Sequence, residues 1–185
     1  MSAPSPWVAR FAPLVPGGEV LDLACGGGRH ARHFASLGHP VLALDRDARA
    51  LALAAGAGIA TVEFDLEQQG AAWPYGAGRF AGIVVANYLH RPLLAALAAS
   101  LRPDGVLIYE TFAIGNEAFG KPSNPAFLLG RGELLAFALQ AGLRVIAFED
   151  GYVDAPKQGL KPAMLQRLCA CGPDFPAVNG VLGSA

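Results

Sequence analysis

The strongest fold signal in this sequence is the stretch Val20-Leu21-Asp22-Leu23-Ala24-Cys25-Gly26-Gly27-Gly28. The first five form a mostly apolar run of the kind found in strands buried on both faces. The three consecutive glycines that follow let the backbone approach a ligand closely or adopt a positive φ. Helical periodicity then places Ala31, Phe34 and Ala35 on one face, so the stretch indicates a strand, a glycine loop and a helix.

The alternation of apolar run and helical stretch repeats along the chain, which is typical of a parallel sheet with crossover helices. Further buried strands are predicted at Val41 to Leu44, Ile59 to Phe64, Phe80 to Ala86 and Val106 to Thr111. Helices are predicted at Trp7 to Phe11, Ala48 to Ala55, Pro92 to Leu101 and Glu133 to Ala141. The fold class is therefore α/β, with a doubly wound sheet.

The last third of the chain departs from this alternation. Two strands are predicted at Leu143 to Phe148 and Met164 to Ala170, and the residues between them lack helical periodicity. Because a parallel connection normally contains a helix, these strands are expected to form an antiparallel hairpin at the edge of the sheet.

Length and composition favour one domain over residues 1–185, with its core at residues 19–171 and a loosely held tail at 172–185. Residues 113–130 contain three glycines and two prolines together with several phenylalanines and leucines. A long irregular segment of this kind is typical of a lid over a functional site.

Charge and hydropathy exclude several classes of protein. Apolar residues make up 53% of the chain and charged residues 16%, which excludes intrinsic disorder. No apolar stretch approaches the ~18 residues of a membrane span and no signal peptide is recognised, so a cytoplasmic protein without a membrane partner is expected. The net charge of -1 disfavours nucleic acid as a partner, and three cysteines fit a reduced compartment. Nothing in the pattern indicates an oligomeric state.

Carboxylates follow the ends of two further predicted strands. Asp45 is placed to accept hydrogen bonds from both hydroxyls of a ribose, and Asp65 with the Leu66 amide is placed to meet an adenine. Alternatively, each aspartate only caps the helix that follows it. Three carboxylates at successive strands beside a glycine loop, counting Asp22, favour a site for an adenosine with a substituent at its 5′ end.

The glycine loop leaves a second interpretation open. Gly26-x-Gly28-x-x-Ala31 matches the dinucleotide pattern G-x-G-x-x-G/A, which predicts an NAD(P)-dependent oxidoreductase. Three features argue against a dinucleotide: the position of Asp22 before the glycines, the second carboxylate at Asp65, and the terminal hairpin.

Together these residues resemble the class I S-adenosylmethionine-dependent methyltransferases, and the resemblance extends from Glu19 to Cys171. Residues 21–28 are similar to that family's first motif, an acidic residue followed by three spaced glycines. Ala24 stands at the first glycine, which implies a negative φ there. The resemblance implies a Rossmann-like sheet of seven strands in the order 3-2-1-4-5-7-6, with strand 7 antiparallel. The short chain and the segment Asn87 to Arg91 look most like the tellurite-resistance type of methyltransferase.

The resemblance implies S-adenosylmethionine as cofactor, S-adenosylhomocysteine as product and a small molecule as methyl acceptor. It assigns the methionine part of the cofactor to Asp22 and the loop, the ribose to Asp45, the adenine to Asp65 and Leu66, and a backbone contact near the sulfonium to Asn87. The loop residues so implied are Ala24, Cys25, Gly26 and Gly28. A protein that binds this cofactor without turnover is a further alternative.

Candidate acid-base and acceptor residues follow strands four and five. His90 is the candidate general base, because an ordinary imidazole pKa near ~6.5 suits proton transfer; the alternative is that it caps the helix at Pro92. Tyr109 and Glu110 are further acid-base candidates, and Arg91 is a candidate for binding an anionic acceptor. In the lid, contacts to the acceptor are expected from Phe119, Lys121, Asn124 and Phe127.

Three histidines lie near the glycine loop and are conceivable metal ligands: His30, His33 and His39. No second ligand pair accompanies them, so no metal site is expected. Cys169 and Cys171 face the same side of the last strand, where core packing is expected. Trp7 and Phe11 are expected either to cover the cofactor or to pack the N-terminal flank.

Overall fold

Seven strands form one sheet in the part of the chain that the computed structural model describes, residues 2–154 and 161–177. The strands are β1 (Val20–Leu23), β2 (Val41–Asp45), β3 (Ile59–Glu63), β4 (Phe80–Ala86), β5 (Leu101–Phe112), β6 (Arg144–Val153) and β7 (Ala163–Cys171). Their order across the sheet is β3-β2-β1-β4-β5-β7-β6. The first five are parallel, and β7 runs antiparallel to both β5 and β6. The expected strand order and the antiparallel hairpin are therefore confirmed.

The described residues contain five α-helices: α1 (Pro6–Phe11), α2 (Arg29–Ser36), α3 (Ala48–Ala54), α4 (Leu94–Ser100) and α5 (Glu133–Gln140). Side-chain caps begin two of them, because Ser5 Oγ accepts from the Trp7 amide at 3.2 Å and Asp47 Oδ1 accepts from the Arg49 amide at 2.8 Å. The helix predicted from Pro92 begins only at Leu94, since Arg91–Leu93 form a 3₁₀ turn.

Two apolar clusters pack on opposite faces of the sheet, because successive residues of a strand point to opposite sides. Leu21 and Leu23 of β1 belong to the cluster that includes residues of α4 and α5. Val20 belongs to the other cluster, with Trp7 and Phe11 of α1 and residues of α2 and α3. Trp7 Nε1 donates to the Leu168 carbonyl at 3.2 Å, so the N-terminal aromatic residues pack the flank.

Two strands are longer than the sequence predicted. β5 begins at Leu101 instead of Val106, and the Arg102 side chain is held by Asp104, with 2.6 Å between Nη2 and Oδ2. β6 continues past Phe148 to Val153, which pairs with Ala163 of β7. The ladder of backbone hydrogen bonds thus extends beyond the apolar run that gave the strand its sequence signal.

The beginning of the predicted tail is packed, in contrast to the expectation of a loosely held segment. Phe175 is buried in the cluster around Val20. The Asp174 amide donates to the Pro103 carbonyl at 2.8 Å. Residues 178–185 of that tail, and residues 155–160 between β6 and β7, lie outside the described residues.

The segments singled out by the sequence meet at one edge of the sheet, the edge at which the parallel strands end. The carboxyl ends of β1 to β5 meet there because these strands are parallel, and β7 begins at the same edge because it is antiparallel to β5. The register pairs Phe112 with Leu165, and the Ala113 amide donates to the Met164 carbonyl at 2.9 Å. Among the described residues, no helix has the length and apolarity needed to cross a membrane.

Candidate active site

The glycine loop after β1 folds in the left-handed region of φ. Ala24 has a φ of 52°, Gly26 of 51° and Gly28 of 74°. The negative φ expected at Ala24 is therefore wrong: the loop imposes the same conformation on this alanine that glycine adopts freely. The Cys25 amide, which donates to the Leu44 carbonyl at 3.0 Å, holds the loop against β2.

The loop glycines differ in what surrounds them. A Cβ on Gly28 would lie 2.5 Å from the Cβ of Ala54, so this glycine is required by the close packing of α3. A Cβ on Gly26 would meet no atom within 4 Å. Gly26 thus has open space beside its backbone.

Asp45 is fixed to the loop by its carboxylate. Its Oδ2 accepts from the Gly26 amide at 2.8 Å, and its Oδ1 accepts from the Asp47 amide at 3.0 Å. It lines a cavity of ≈ 210 Å³ at the ends of β1, β2 and β3, which we call the rim cavity. The other lining residues are Ala24, Leu44, Arg46, Phe64, Asp65, Leu66, Glu67 and Tyr88.

Asp65 and Leu66 share the rim cavity with Asp45, as the sequence predicted for a nucleoside site. Asp65 Oδ1 accepts from the Glu67 amide at 2.9 Å, which turns the chain back toward the cavity. The arrangement places three carboxylates, those of Asp45, Asp65 and Glu67, around one small space with the apolar side chains of Leu44 and Phe64.

Asp22 lies below the glycine loop and lines none of the cavities described at this edge. Its side chain is buried, and Oδ2 accepts from the Ala31 amide at 2.8 Å, which ties β1 to α2. Burial raises the pKa of Asp22 to about 7. The side chain therefore supports the loop, and any contact between this position and the methionine part would be indirect.

His30 packs beside Asp22, with Nδ1 4.0 Å from Oδ1. Burial lowers the pKa of His30 to about 3, so the ring is neutral. Its Nε2 accepts from the Ser5 amide at 3.2 Å, which leaves the ring proton on Nδ1, facing Asp22. His30 thus links the N-terminal segment to the first strand.

A second cavity, of ≈ 250 Å³, adjoins the first and shares Arg46, Glu67 and Tyr88 with it; we call it the bridging cavity. Its other lining residues are Asn87, Leu89, Thr111, Phe112, Pro122 and Phe127. Asn87 follows β4 with a φ of 57°, and its amide donates to the Glu110 carbonyl at 2.9 Å. Asn87 therefore lies at the junction between the predicted cofactor residues and the lid.

A third cavity, of ≈ 400 Å³, lies under the segment 113–130 and shares Asn87 and Phe112 with the bridging cavity; we call it the lid cavity. The remaining lining residues come from the N-terminal segment, the start of α2, β5, the lid and the hairpin. They are Ser5, Arg29, Glu110, Asn116, Phe119, Gly120, Lys121, Val153, Lys161, Pro162, Ala163, Leu165 and Arg167. The three cavities thus form a continuous series along one edge of the sheet.

Three of the lid residues predicted to meet an acceptor line these cavities. Phe119 and Lys121 line the lid cavity, and Phe127 lines the bridging cavity. Asn124 does not, because its side chain caps the short turn Pro125–Phe127, with Oδ1 accepting from the Ala126 amide at 3.0 Å. The prediction of an acceptor contact at Asn124 is corrected accordingly.

The Arg91 guanidinium is hydrogen-bonded to the lid and to α5. It donates to Glu133 Oε1 at 2.6 Å and Oε2 at 2.9 Å, and to the carbonyls of Ala126 and Leu128 at 2.9 and 2.8 Å. It lines a groove between α4 and α5 and none of the three cavities. Arg91 is therefore an anchor of the lid, and the expected contact with an anionic acceptor is wrong.

The predicted acid-base residues are not gathered at one point. Tyr109 is buried, its hydroxyl donates to the Tyr88 carbonyl at 2.9 Å, and burial raises its pKa. Glu110 lines the lid cavity but is paired with Arg167, with 3.1 Å between Oε2 and Nε. His90 lines none of the three cavities and makes no side-chain capping bond, although it stands at the N-cap of the turn Arg91–Leu93.

The remaining candidates belong to the core or the flank. His39 Nδ1 is 3.2 Å from the Gly18 carbonyl. Cys169 and Cys171 are buried in the cluster around Val20, and all three cysteines are free. Within the described ranges, no three His, Cys, Asp or Glu side chains are grouped as metal ligands.

Several lining residues were missed by the sequence analysis. Arg29 follows the glycine loop directly, so its position in the chain already suggested it. Lys161 and Arg167 carry no local motif, and they reach the edge only because β7 is antiparallel and starts there. Ser5 is brought in by the hydrogen bond of its amide to His30.

A family model described as a methyltransferase domain matches residues 20–105, which is less than half of the chain. The matched segment holds the glycine loop, Asp45, Asp65 and Asn87. No curated protein matches the sequence.

Solved structures resemble the whole described fold. The TehB protein of Haemophilus influenzae is 16% identical with a TM-score of 0.73, and the alignment covers 93% of this chain and 63% of that one. An S-adenosylmethionine-dependent methyltransferase from Mesorhizobium loti is 18% identical, with a TM-score of 0.67 and coverages of 88% and 96%. The 1,6-didemethyltoxoflavin-N1-methyltransferase of Burkholderia thailandensis, solved with 1,6-didemethyltoxoflavin and S-adenosylhomocysteine, is 24% identical, with a TM-score of 0.65 and coverages of 91% and 77%. This chain thus spans 63% of the TehB chain and has the fold that all three share.

Proposed function

We propose, from the premise that this chain carries an S-adenosylmethionine-dependent methyltransferase domain, that it transfers the methyl group to a small-molecule acceptor and releases S-adenosylhomocysteine. One observation supports the proposal above the others: the Asp45 carboxylate, fixed by the Gly26 amide, shares the rim cavity with Asp65 and Leu66. This is the arrangement that a nucleoside with two ribose hydroxyls requires.

The residues present fit the cofactor. Asp45 would accept from the ribose hydroxyls, and Asp65 with Leu66 would meet the adenine between the apolar side chains of Leu44 and Phe64. The open space above Gly26, where even a Cβ would touch nothing within 4 Å, leaves room for the part beyond the ribose. When bound, the cofactor supplies a methyl group already activated by its sulfonium.

The task left to the chain is to orient the acceptor and exclude water. Asn87 and Phe112 line both the bridging cavity and the lid cavity, so an acceptor in the lid cavity would meet the cofactor beside these two residues. Orientation of this kind contributes ~7 to 11 kcal/mol to the lowering of a barrier. Phe119, Lys121 and Phe127 of the lid would close the site over the acceptor.

The proposal requires no base from the chain. Tyr109 and Glu110 are engaged in the contacts described above. His90 remains the candidate from sequence, and replacing it tests that role: His90→Asn should leave cofactor affinity unchanged, and it lowers the methylation rate only if His90 accepts the acceptor's proton.

The buried, free cysteines fit a reducing compartment, and we place the reaction in the cytoplasm. The net charge of -1 also favours a small-molecule acceptor over nucleic acid.

Titration calorimetry of the purified protein tests the cofactor assignment. S-adenosylhomocysteine should bind and NADH should not, and Asp45→Asn should weaken S-adenosylhomocysteine binding about tenfold or more, since a hydrogen-bonded charge is lost. Asp174→Asn is the matched control, because Asp174 is exposed and lies away from the three cavities. Preferential binding of NADH would overturn the proposal; tight S-adenosylhomocysteine binding without methylation of any acceptor would indicate a non-catalytic protein.

A further inference from the structure

We infer that the methyl acceptor is an organic carboxylate with an apolar or aromatic body, bound in the lid cavity. The inference rests on the proposed methyltransferase function and names the acceptor's chemical class. Three properties of the cavity lead to it: its charge, its walls and its position relative to Asn87.

The lid cavity is strongly cationic in a chain whose net charge is -1. Arg29, Lys121, Lys161 and Arg167 line it, and Glu110 is its one acidic residue among those described. Arg167 is already neutralised, because it pairs with Glu110 and with Glu149, each at 3.1 Å.

The other three cations have no such partner. Within the described ranges, none of Arg29, Lys121 and Lys161 forms an ion pair with a carboxylate. The sequence of residues 155–160, Ala-Pro-Lys-Gln-Gly-Leu, contains no acidic residue that would neutralise Lys161. Burial raises the pKa of Asp22 and the charge of Arg29 partly offsets that rise, whereas Lys121 and Lys161 have no carboxylate partner among the described residues. Two such lysines beside Arg29 favour an anionic ligand, because charge-assisted hydrogen bonds to a carboxylate are strong.

The walls and the volume argue for an organic body. Phe112, Phe119 and Leu165 line the cavity along with Val153, Pro162 and Ala163. A volume of ≈ 400 Å³ lies in the range of sites for small organic ligands, which are mostly apolar with a few placed polar groups. A bare inorganic oxyanion would leave these apolar walls without a partner.

Phe119 is suited to contact that body. Its side chain is 46% exposed and packs on Tyr152 with the ring centroids 5.0 Å apart, so one ring supports the other at the cavity wall. Such a supported ring offers a face to an aromatic acceptor.

The position of the charges sets the orientation. Lys121 belongs to the lid, and Lys161 lies two residues before the start of β7. Asn87 and Phe112, in contrast, connect the lid cavity to the bridging cavity. The carboxylate is therefore held by the two lysines, and the methyl-accepting atom of the body lies toward Asn87.

The test compares matched acids and amides. The purified protein is titrated, with and without S-adenosylhomocysteine, with benzoate, 4-hydroxybenzoate and 2-naphthoate and with the primary amide of each. At least one acid should bind about tenfold or more tightly than its amide, as expected for a hydrogen bond to a charged group. The double variant Lys121→Gln/Lys161→Gln should abolish that preference.

Arg49→Gln is the control, since it removes one positive charge from an exposed position of α3 that does not line this cavity. It should keep the preference for the acids. The lysines are exposed, so the double variant is expected to fold, and its circular dichroism and S-adenosylhomocysteine affinity should match those of the unmodified protein.

Each remaining outcome contradicts one statement. Equal affinity for acids and amides, or no binding of any of the three acids, overturns this inference while S-adenosylhomocysteine binding leaves the proposed function standing. Selenite and phosphate are titrated in the same way, and binding of either one in place of all three acids overturns the organic body. Acid binding that depends on the lysines, without S-adenosylhomocysteine binding, supports the carboxylate site and overturns the proposed function.

Discussion

Asp22 shows how a residue chosen from a motif can serve the fold. Its carboxylate is buried below the glycine loop and accepts from the Ala31 amide, while its pKa is raised from 3.8 to about 7 by burial. The folded protein therefore binds a proton at this site that the unfolded chain has released, and stability falls as the pH rises from about 4 to about 7. Above that range the contribution of Asp22 is constant.

Asp22→Asn should remove this pH dependence. The amide oxygen still accepts from Ala31, and no buried charge forms, so the variant should gain stability relative to the unmodified protein between pH 5 and pH 8. The gain is on the order of a few kcal/mol at most. Urea unfolding of both proteins at the two pH values measures it; a difference in unfolding free energy that is the same at pH 5 and pH 8 would contradict the assignment.

At this level the sequence predicted which residues meet at the rim cavity better than it predicted the surroundings of Arg91. Asp45 and Asp65 were found because the end of an apolar run is a local signal. Arg91 was misassigned because its partners Ala126, Leu128 and Glu133 are 35, 37 and 42 residues away along the chain. The φ of Ala24 was missed for a similar reason: the loop conformation is imposed by its contact with β2.

Among the helices and loops, the packing of α3 on the glycine loop gives a direct test. Gly28→Ala places a Cβ 2.5 Å from that of Ala54, whereas Gly26→Ala places one in open space. Both glycines have positive φ, so each variant carries the cost of a left-handed alanine, ~1 to 2 kcal/mol. Gly28→Ala should lose roughly 1 to 3 kcal/mol more, the usual cost of overpacking.

Denaturant unfolding of the cofactor-free protein compares the two variants. Equal losses would mean that α3 moves away at no cost. The two substitutions lie in the same loop and both at a positive φ, and they differ most in the close contact of Gly28 with Ala54.

Arg91 is one of the anchors of the lid. Arg91 joins Glu133 to the carbonyls of Ala126 and Leu128. Arg91→Ala should speed amide hydrogen exchange in residues 125–129 and lower kcat/KM, while cofactor affinity is kept. Global stability should change by less than about 1 kcal/mol, because the Arg91 side chain is 41% exposed.

Hydrogen exchange read by mass spectrometry measures the effect, and Arg79→Ala, which breaks the exposed pair with Glu19, is the control. Unchanged exchange in the lid of the Arg91 variant would refute the anchoring role.

The elements themselves were largely predictable, since each strand is an apolar run and each helix has a periodic face. The extension of β6 to Val153 was not, because Glu149 to Val153 are polar or mixed and are held by pairing with β7. Sequence patterns report burial, and this outer part of the hairpin is only partly buried.

Across the whole molecule, the site divides along the chain. The residues around the rim cavity lie between Ala24 and Tyr88, within the segment 20–105 that matches the methyltransferase domain. Most of the lid cavity comes from Glu110 onward, together with Ser5, Arg29 and Asn87. The topology joins the two parts, because it brings the antiparallel strand back to the same edge. No local sequence pattern identifies the residues of that strand that line the lid cavity.

The placement of β7 also bears on how such a protein diversifies. Because β7 pairs with the parallel strands through β5, substitutions of Lys161, Leu165 or Arg167 would change the lid cavity without changing any residue that lines the rim cavity. Under the proposed function, substitutions around the lid cavity would therefore change the acceptor, while the residues around the rim cavity stay the same. A chimera that exchanges the chain after β5 for its counterpart from another enzyme of this fold is accordingly a rational starting point for engineering a new substrate range.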